Sequence, residues 1–157
     1  MRERIRKAAI YGLKNNVNPA NGYYLKFGEV NSEVVEHSQR KDYPSVDAVW
    51  GDEVYTNEFT GGHSLGLYEK IADLFIDVWI KELDGMTTMK EKVIADIEKY
   101  FGTNYSIPDE NGNGTAFNCI ISNNRHFGTR AEKPRGGISI LLKVYYRQQL
   151  INPNIGG

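Results

Sequence analysis

From Ile138 to Arg147 the chain is apolar at every second residue: Ile138, Ile140, Leu142, Val144 and Tyr146 alternate with Ser139, Lys143, Tyr145 and Arg147. A period of two places those side chains on one side only in an extended strand, so this segment demands a sheet with a buried face. Other segments offer it partners. Phe117, Cys119 and Ile121 alternate with Asn118, Ile120 and Ser122, and Val46, Ala48 and Trp50 with Ser45, Asp47 and Val49. Tyr23, Leu25 and Phe27 alternate with Tyr24 and Lys26 up to Gly28, which predicts a further strand. Leu65 to Glu82 fits two periods: Ala72, Leu74, Ile76, Val78 and Ile80 as a strand, or Leu67, Ile71, Leu74, Phe75 and Val78 as a helix. The β-branched and aromatic run Phe75–Ile80 favours the strand.

Two segments carry a helical period. Ile5, Ala8, Ala9 and Leu13 share one face near the start, and Asn15-Asn16 followed by Asn18-Pro19 stops that helix. Met89, Val93, Ile97, Tyr100 and Phe101 mark the second, with Thr88 and Glu91 as a capping box and Gly102 as the C-terminal cap. Between these elements lie a polar stretch from Glu29 to Arg40 that reads as an irregular strand or hairpin, and a loop or hairpin arm from Gly51 to Ser64. Further loops run through Pro108 to Gly114 and from Asn123 to Gly136, with Gly136-Gly137 as turn residues, and a flexible tail starts about residue 150. The expected fold is α+β: one domain over 1–157, with a mixed, mainly antiparallel β-sheet and two amphipathic helices packed on one face.

Composition narrows the function. The 19 basic and 20 acidic residues of the 157 leave a net charge of -1, without the basic excess of a protein that coats nucleic acid. The single cysteine, Cys119, excludes an internal disulfide and any multi-cysteine metal site. The charged start, Met1 to Lys7, leads into no apolar run and does not read as a signal peptide. Leu74 to Ile80 is interrupted by Asp77 and is too short to span a bilayer, so no membrane partner is expected.

Chemical motifs fail one by one. Asp109-Glu110-Asn111-Gly112-Asn113-Gly114 begins like a calcium loop, but its twelfth position is Ile120 where a bidentate acid is needed, so a turn is the expectation. His37, His63 and His126 lack ligand spacing, and Cys119 lies on the apolar side of its strand as a buried, inert thiol. No phosphate-binding glycine motif occurs. No catalytic, cofactor or metal residue is therefore assigned, and the chain is expected to act by assembly and not as an enzyme.

Two features suit a partner. Asp73, Phe75, Asp77 and Trp79 share the odd face of the long strand, where large aromatics beside charges point either to a protein contact or to a covering helix. Arg125, Arg130, Lys133 and Arg135 make the Arg125–Arg135 stretch basic, suited to phosphate, to an acidic protein surface or to solvent alone.

The order of elements resembles the tail terminator (tail completion) proteins of tailed bacteriophages. The resemblance covers most of the chain. It rests on the N-terminal helix, then Tyr43-Pro44-Ser45-Val46-Asp47-Ala48-Val49-Trp50, a glycine-containing loop and the long apolar strand Leu74–Ile80. The helix with Ala95-Asp96-Ile97-Glu98-Lys99 follows, then the closing strand ending Val144-Tyr145-Tyr146-Arg147 before Pro153. It implies a virion protein, assembled in the host cytoplasm, that forms a ring with copies of itself, typically a hexamer. Such a ring stops growth of the tail tube at its head-proximal end and meets the head–tail connector. The implied partners are the tail-tube protein and the connector, with DNA passing transiently through the lumen at most and no cofactor. It also implies a strand for Leu65–Glu82, and it transfers no individual binding residue. Another neck, connector or baseplate adaptor protein, or a small ligand-binding domain or enzyme, stays open on the residues alone.

Overall fold

The computed structural model describes residues 1–55, 67–81, 86–128 and 136–149. Strands β3 (Leu67–Ile80) and β5 (Gly136–Gln149) form the centre of one sheet and pair antiparallel from end to end. β2 (Ser45–Tyr55) flanks β3 and β4 (Asn118–Gly128) flanks β5, both antiparallel. Short β1 (Glu29–Asn31) adds parallel to Ser45–Asp47, giving the order β1-β2-β3-β5-β4. The sheet is mixed and mainly antiparallel, as expected. The two-period segment is a strand because its even residues, from Ala72 to Ile80, are buried while Ile71, Asp73, Phe75, Asp77 and Trp79 are only half-buried.

Helices α1 (Arg2–Asn15) and α2 (Met86–Thr103) cover the even face. Ile5, Ala9 and Leu13 of α1 and Val93, Ile97, Tyr100 and Phe101 of α2 join Leu74, Ile76, Ile140, Leu142 and Tyr146 in one apolar core. The Tyr100 hydroxyl lies where a side chain at Gly12 would be, so the two helices meet at a residue without one. A 3-10 turn, Pro19–Asn21, follows α1; there the Asn18 side chain accepts the Asn21 N–H and Gly22 takes a φ of 82°.

Several boundaries differ from the sequence reading. Tyr23–Phe27 is not a strand. Its inward residues are the expected ones, but the N–H groups of Tyr24 and Leu25 donate to the carboxylate of buried Asp96 on α2 (2.9 and 2.8 Å) in place of a ladder. The polar stretch after it gives only β1 and a 3-10 turn at His37–Gln39. β2 runs on to Tyr55, so Gly51–Tyr55 is strand and not loop; the rest of that loop, 56–66, lies outside the described residues. α2 begins at Met86, which puts Thr88 inside the helix and removes the capping box. Gly102 lies in its last turn, and the Asn104 side chain instead caps the Tyr100 carbonyl (2.9 Å). β4 continues through Asn123–Gly128, and Gly136-Gly137 open β5 instead of turning. The C-terminal tail from 150 also lies outside the described residues.

The extension of β4 depends on a bulge. Cys119 and Ile121 face the core opposite Val144 and Leu142, but Asn123 pairs with Leu141, so one extra residue at Ser122 reverses the alternation. Beyond it Asn123, Arg125 and Phe127 turn to the other face of the sheet, opposite Leu141, Ser139 and Gly137.

Candidate functional site

That other face is the one the helices leave open. Asp73, Phe75, Asp77 and Trp79 all lie on it, so a covering helix does not account for their odd-face position. Arg125 joins them from β4 and is not a loop residue. Arg130, Lys133 and Arg135 lie outside the described residues, and so does His63.

A groove of about 610 Å³ runs along this face, with Phe75, Trp79, Phe127 and Leu141 as its apolar lining and Asp77, Ser139 and Arg125 as its polar one. Its shape follows from two glycines. Trp79 and Phe127 stand on strands either side of β5 and meet edge to face at 4.5 Å between centroids, which Gly137 between them permits. The Phe75 ring lies over Gly51 in the same manner.

A buried ion pair lies beside Trp79. The Arg40 side chain is wholly buried. It donates to both carboxylate oxygens of Asp47 (2.9 and 2.5 Å), to Ser45 Oγ (2.7 Å) and to the Val35 carbonyl (2.6 Å). Its guanidinium also stands 5.1 Å from the centre of the Trp79 ring. The segment after β1 is thereby held against one end of the sheet, and Trp79 is fixed from behind.

Asp77 sits in the middle of the groove and accepts the Ser139 hydroxyl. Burial pushes its pKa up and the Asp47 charge adds to that, while the Ser139 hydroxyl and Arg40 offset only part of the rise. Asp73 pairs with Lys143 at 2.6 Å. The Arg125 side chain has no hydrogen bond or ion pair among the described residues. The open face therefore holds an aromatic floor, a carboxyl that gains by shedding its charge and an uncommitted guanidinium. A protein surface with an apolar side chain and an acid would satisfy all three.

Sequence reasoning missed Phe127, Ser139 and Leu141 as parts of this surface, and Arg40 as the buried support of Trp79. Ser139 and Leu141 were readable as the odd side of β5. Phe127 was hidden by the bulge, and Arg40 sits in a stretch with no period.

The other motifs take ordinary roles. Asp109 accepts the N–H groups of Asn111 and Asn113 (both 3.0 Å) and Gly112 has a φ of 80°, so the calcium-like stretch is the turn expected of it. Cys119 is buried, and burial pushes its thiol up to about 12. No cluster of His, Cys, Asp and Glu among the described residues could hold a metal ion. Among them, too, no helix is long and apolar enough to cross a membrane. No protein-family model and no curated protein sequence matches the chain.

Proposed function

We propose that this chain is a structural virion protein that ends phage tail-tube assembly, forming a ring at the head-proximal end of the tail and joining it to the head connector. The observation that carries the reading is the open sheet face, with its Trp79–Phe127 pair, raised Asp77 and uncommitted Arg125. A subunit that works by contact needs such a surface; a core-facing sheet with solvent on its back needs none of it. The order of elements, which resembles the tail terminators, supports this kind of assembly. A ring uses two different surfaces on each copy, and a third must meet the tube.

Size-exclusion chromatography with light scattering, followed by negative-stain microscopy, tests this on the protein alone and mixed with phage tail tubes. The expected result is a ring of discrete size, seated at one end of the tube. A strict monomer that leaves tube ends bare would overturn it.

A further inference from the structure

We propose that neighbouring copies join edge to edge, the outer edge of β4 on one copy pairing with the far half of β2 on the next. β4 ends the sheet on one side, and among the described residues no strand pairs with its outer edge. It carries no proline and no lysine, the residues that commonly guard such edges. On the other side β1 covers only Ser45–Asp47, so β2 beyond Asp47 also has no strand on its outer edge among the described residues. Each copy thus presents two different strand edges on opposite sides, as a heterologous contact requires.

Direction, sterics and charge agree on how they would meet. β2, β3, β5 and β4 alternate in direction, so β2 and β4 run opposite ways and a copy added in the same orientation continues an antiparallel ladder. A level register would drive the end of β4 into β1. Sliding the next copy until Arg125 stands opposite Asp52 places Asn123 opposite Val54 and stops β4 near Val49, just short of β1. Such a stagger is what a closed sheet needs. The side chains of Arg125 and Asp52 are both exposed and both without a hydrogen-bond or ion-pair partner among the described residues, and they carry opposite charge. Val54 is 56 % exposed on the open face and would be covered by the pairing. The pairing itself stands on the edges; only its closure into a ring rests on the function proposed above.

Disulfide trapping tests the pairing in the full chain. Val54→Cys and Asn123→Cys both replace exposed residues, and buried Cys119 is a spectator checked by the wild-type control. Circular dichroism on each variant confirms that it folds. On oxidation, a chain with both substitutions is expected to give a ladder of linked oligomers, whereas either single variant stays unlinked. In that double variant, Arg125→Glu should cut the linked yield about tenfold by setting like charges together, and adding Asp52→Lys should restore it. Dimers from Asn123→Cys alone, no ladder from the pair, or a yield blind to both charge changes would each overturn the pairing. Rings that form without a ladder sink the pairing and spare the function. A ladder without binding to tail tubes does the reverse.

Discussion

Trp79 and Phe127 touch edge to face at 4.5 Å across a strand that lies between them, because residue 137 of that strand has no side chain. A Cβ at Gly137 would lie 2.0 Å from the Val78 carbonyl oxygen and 2.7 Å from the Phe127 ring. The ring could shift, but the carbonyl belongs to the central ladder and cannot. Gly137→Ala should therefore cost about 3 kcal/mol, the upper end for overpacking. Urea unfolding measures it, and a loss within error would show that the strands part more easily than this contact implies.

Two glycines on the helices should respond with opposite sign. A Cβ at Gly12 would stand 1.6 Å from the Tyr100 hydroxyl oxygen, and Tyr100 is fully buried. Gly12→Ala should destabilise by about 1–3 kcal/mol, since α1 and α2 must move apart. Gly102 has nothing within 4 Å of its added Cβ and lies in the last turn of α2. Gly102→Ala should stabilise by about 0.5–1 kcal/mol through helix propensity alone. Thermal melts of both variants decide it; equal signs would refute the difference in surroundings.

The sheet was legible in the sequence because its central strands bury one face, which forces a period of two on Ala72–Ile80 and Ile138–Tyr146. The open face was legible at Asp73, Phe75, Asp77 and Trp79 for the same reason. Elsewhere tertiary contacts replaced the local pattern. Asp96 took the hydrogen bonds of Tyr24 and Leu25, so an alternating stretch made no strand. Asn123-Asn124-Arg125 read as loop because an edge strand buries little, and the bulge at Ser122 breaks the alternation that would have revealed Phe127.

Arg40 and Asp47 form a buried pair at 2.5 Å, and the Arg40 terminal nitrogens also donate to Ser45 and Val35. Removing one partner leaves the other charge in a dry site. Arg40→Ala should cost about 3–5 kcal/mol and free the segment after β1. A volume-matched apolar pair, Arg40→Met with Asp47→Leu, should recover most of that loss. Denaturant unfolding of the three chains checks it; a single variant as stable as the double would mean that water reaches Asp47.

Asp77 makes stability depend on pH in a set direction. Burial is the largest influence on its carboxyl and raises its pKa above the ordinary 3.8, with Asp47 raising it further and Ser139 and Arg40 pulling it back only in part. The native state then holds the proton to a higher pH than the unfolded chain does. Between those two values folding binds protons, so stability falls as pH rises through that window. The penalty is complete above the folded value and absent below the ordinary one. Asparagine can still accept the Ser139 hydroxyl and carries no charge to bury. Asp77→Asn should thus melt above wild type at neutral pH, and the gap should close as the pH is lowered toward the ordinary aspartate range. Melting temperatures across that range measure it. A gap that persists in acid would assign the effect to packing, and a lower melting temperature at neutral pH would mean that the ionised carboxylate is the form this face is built around.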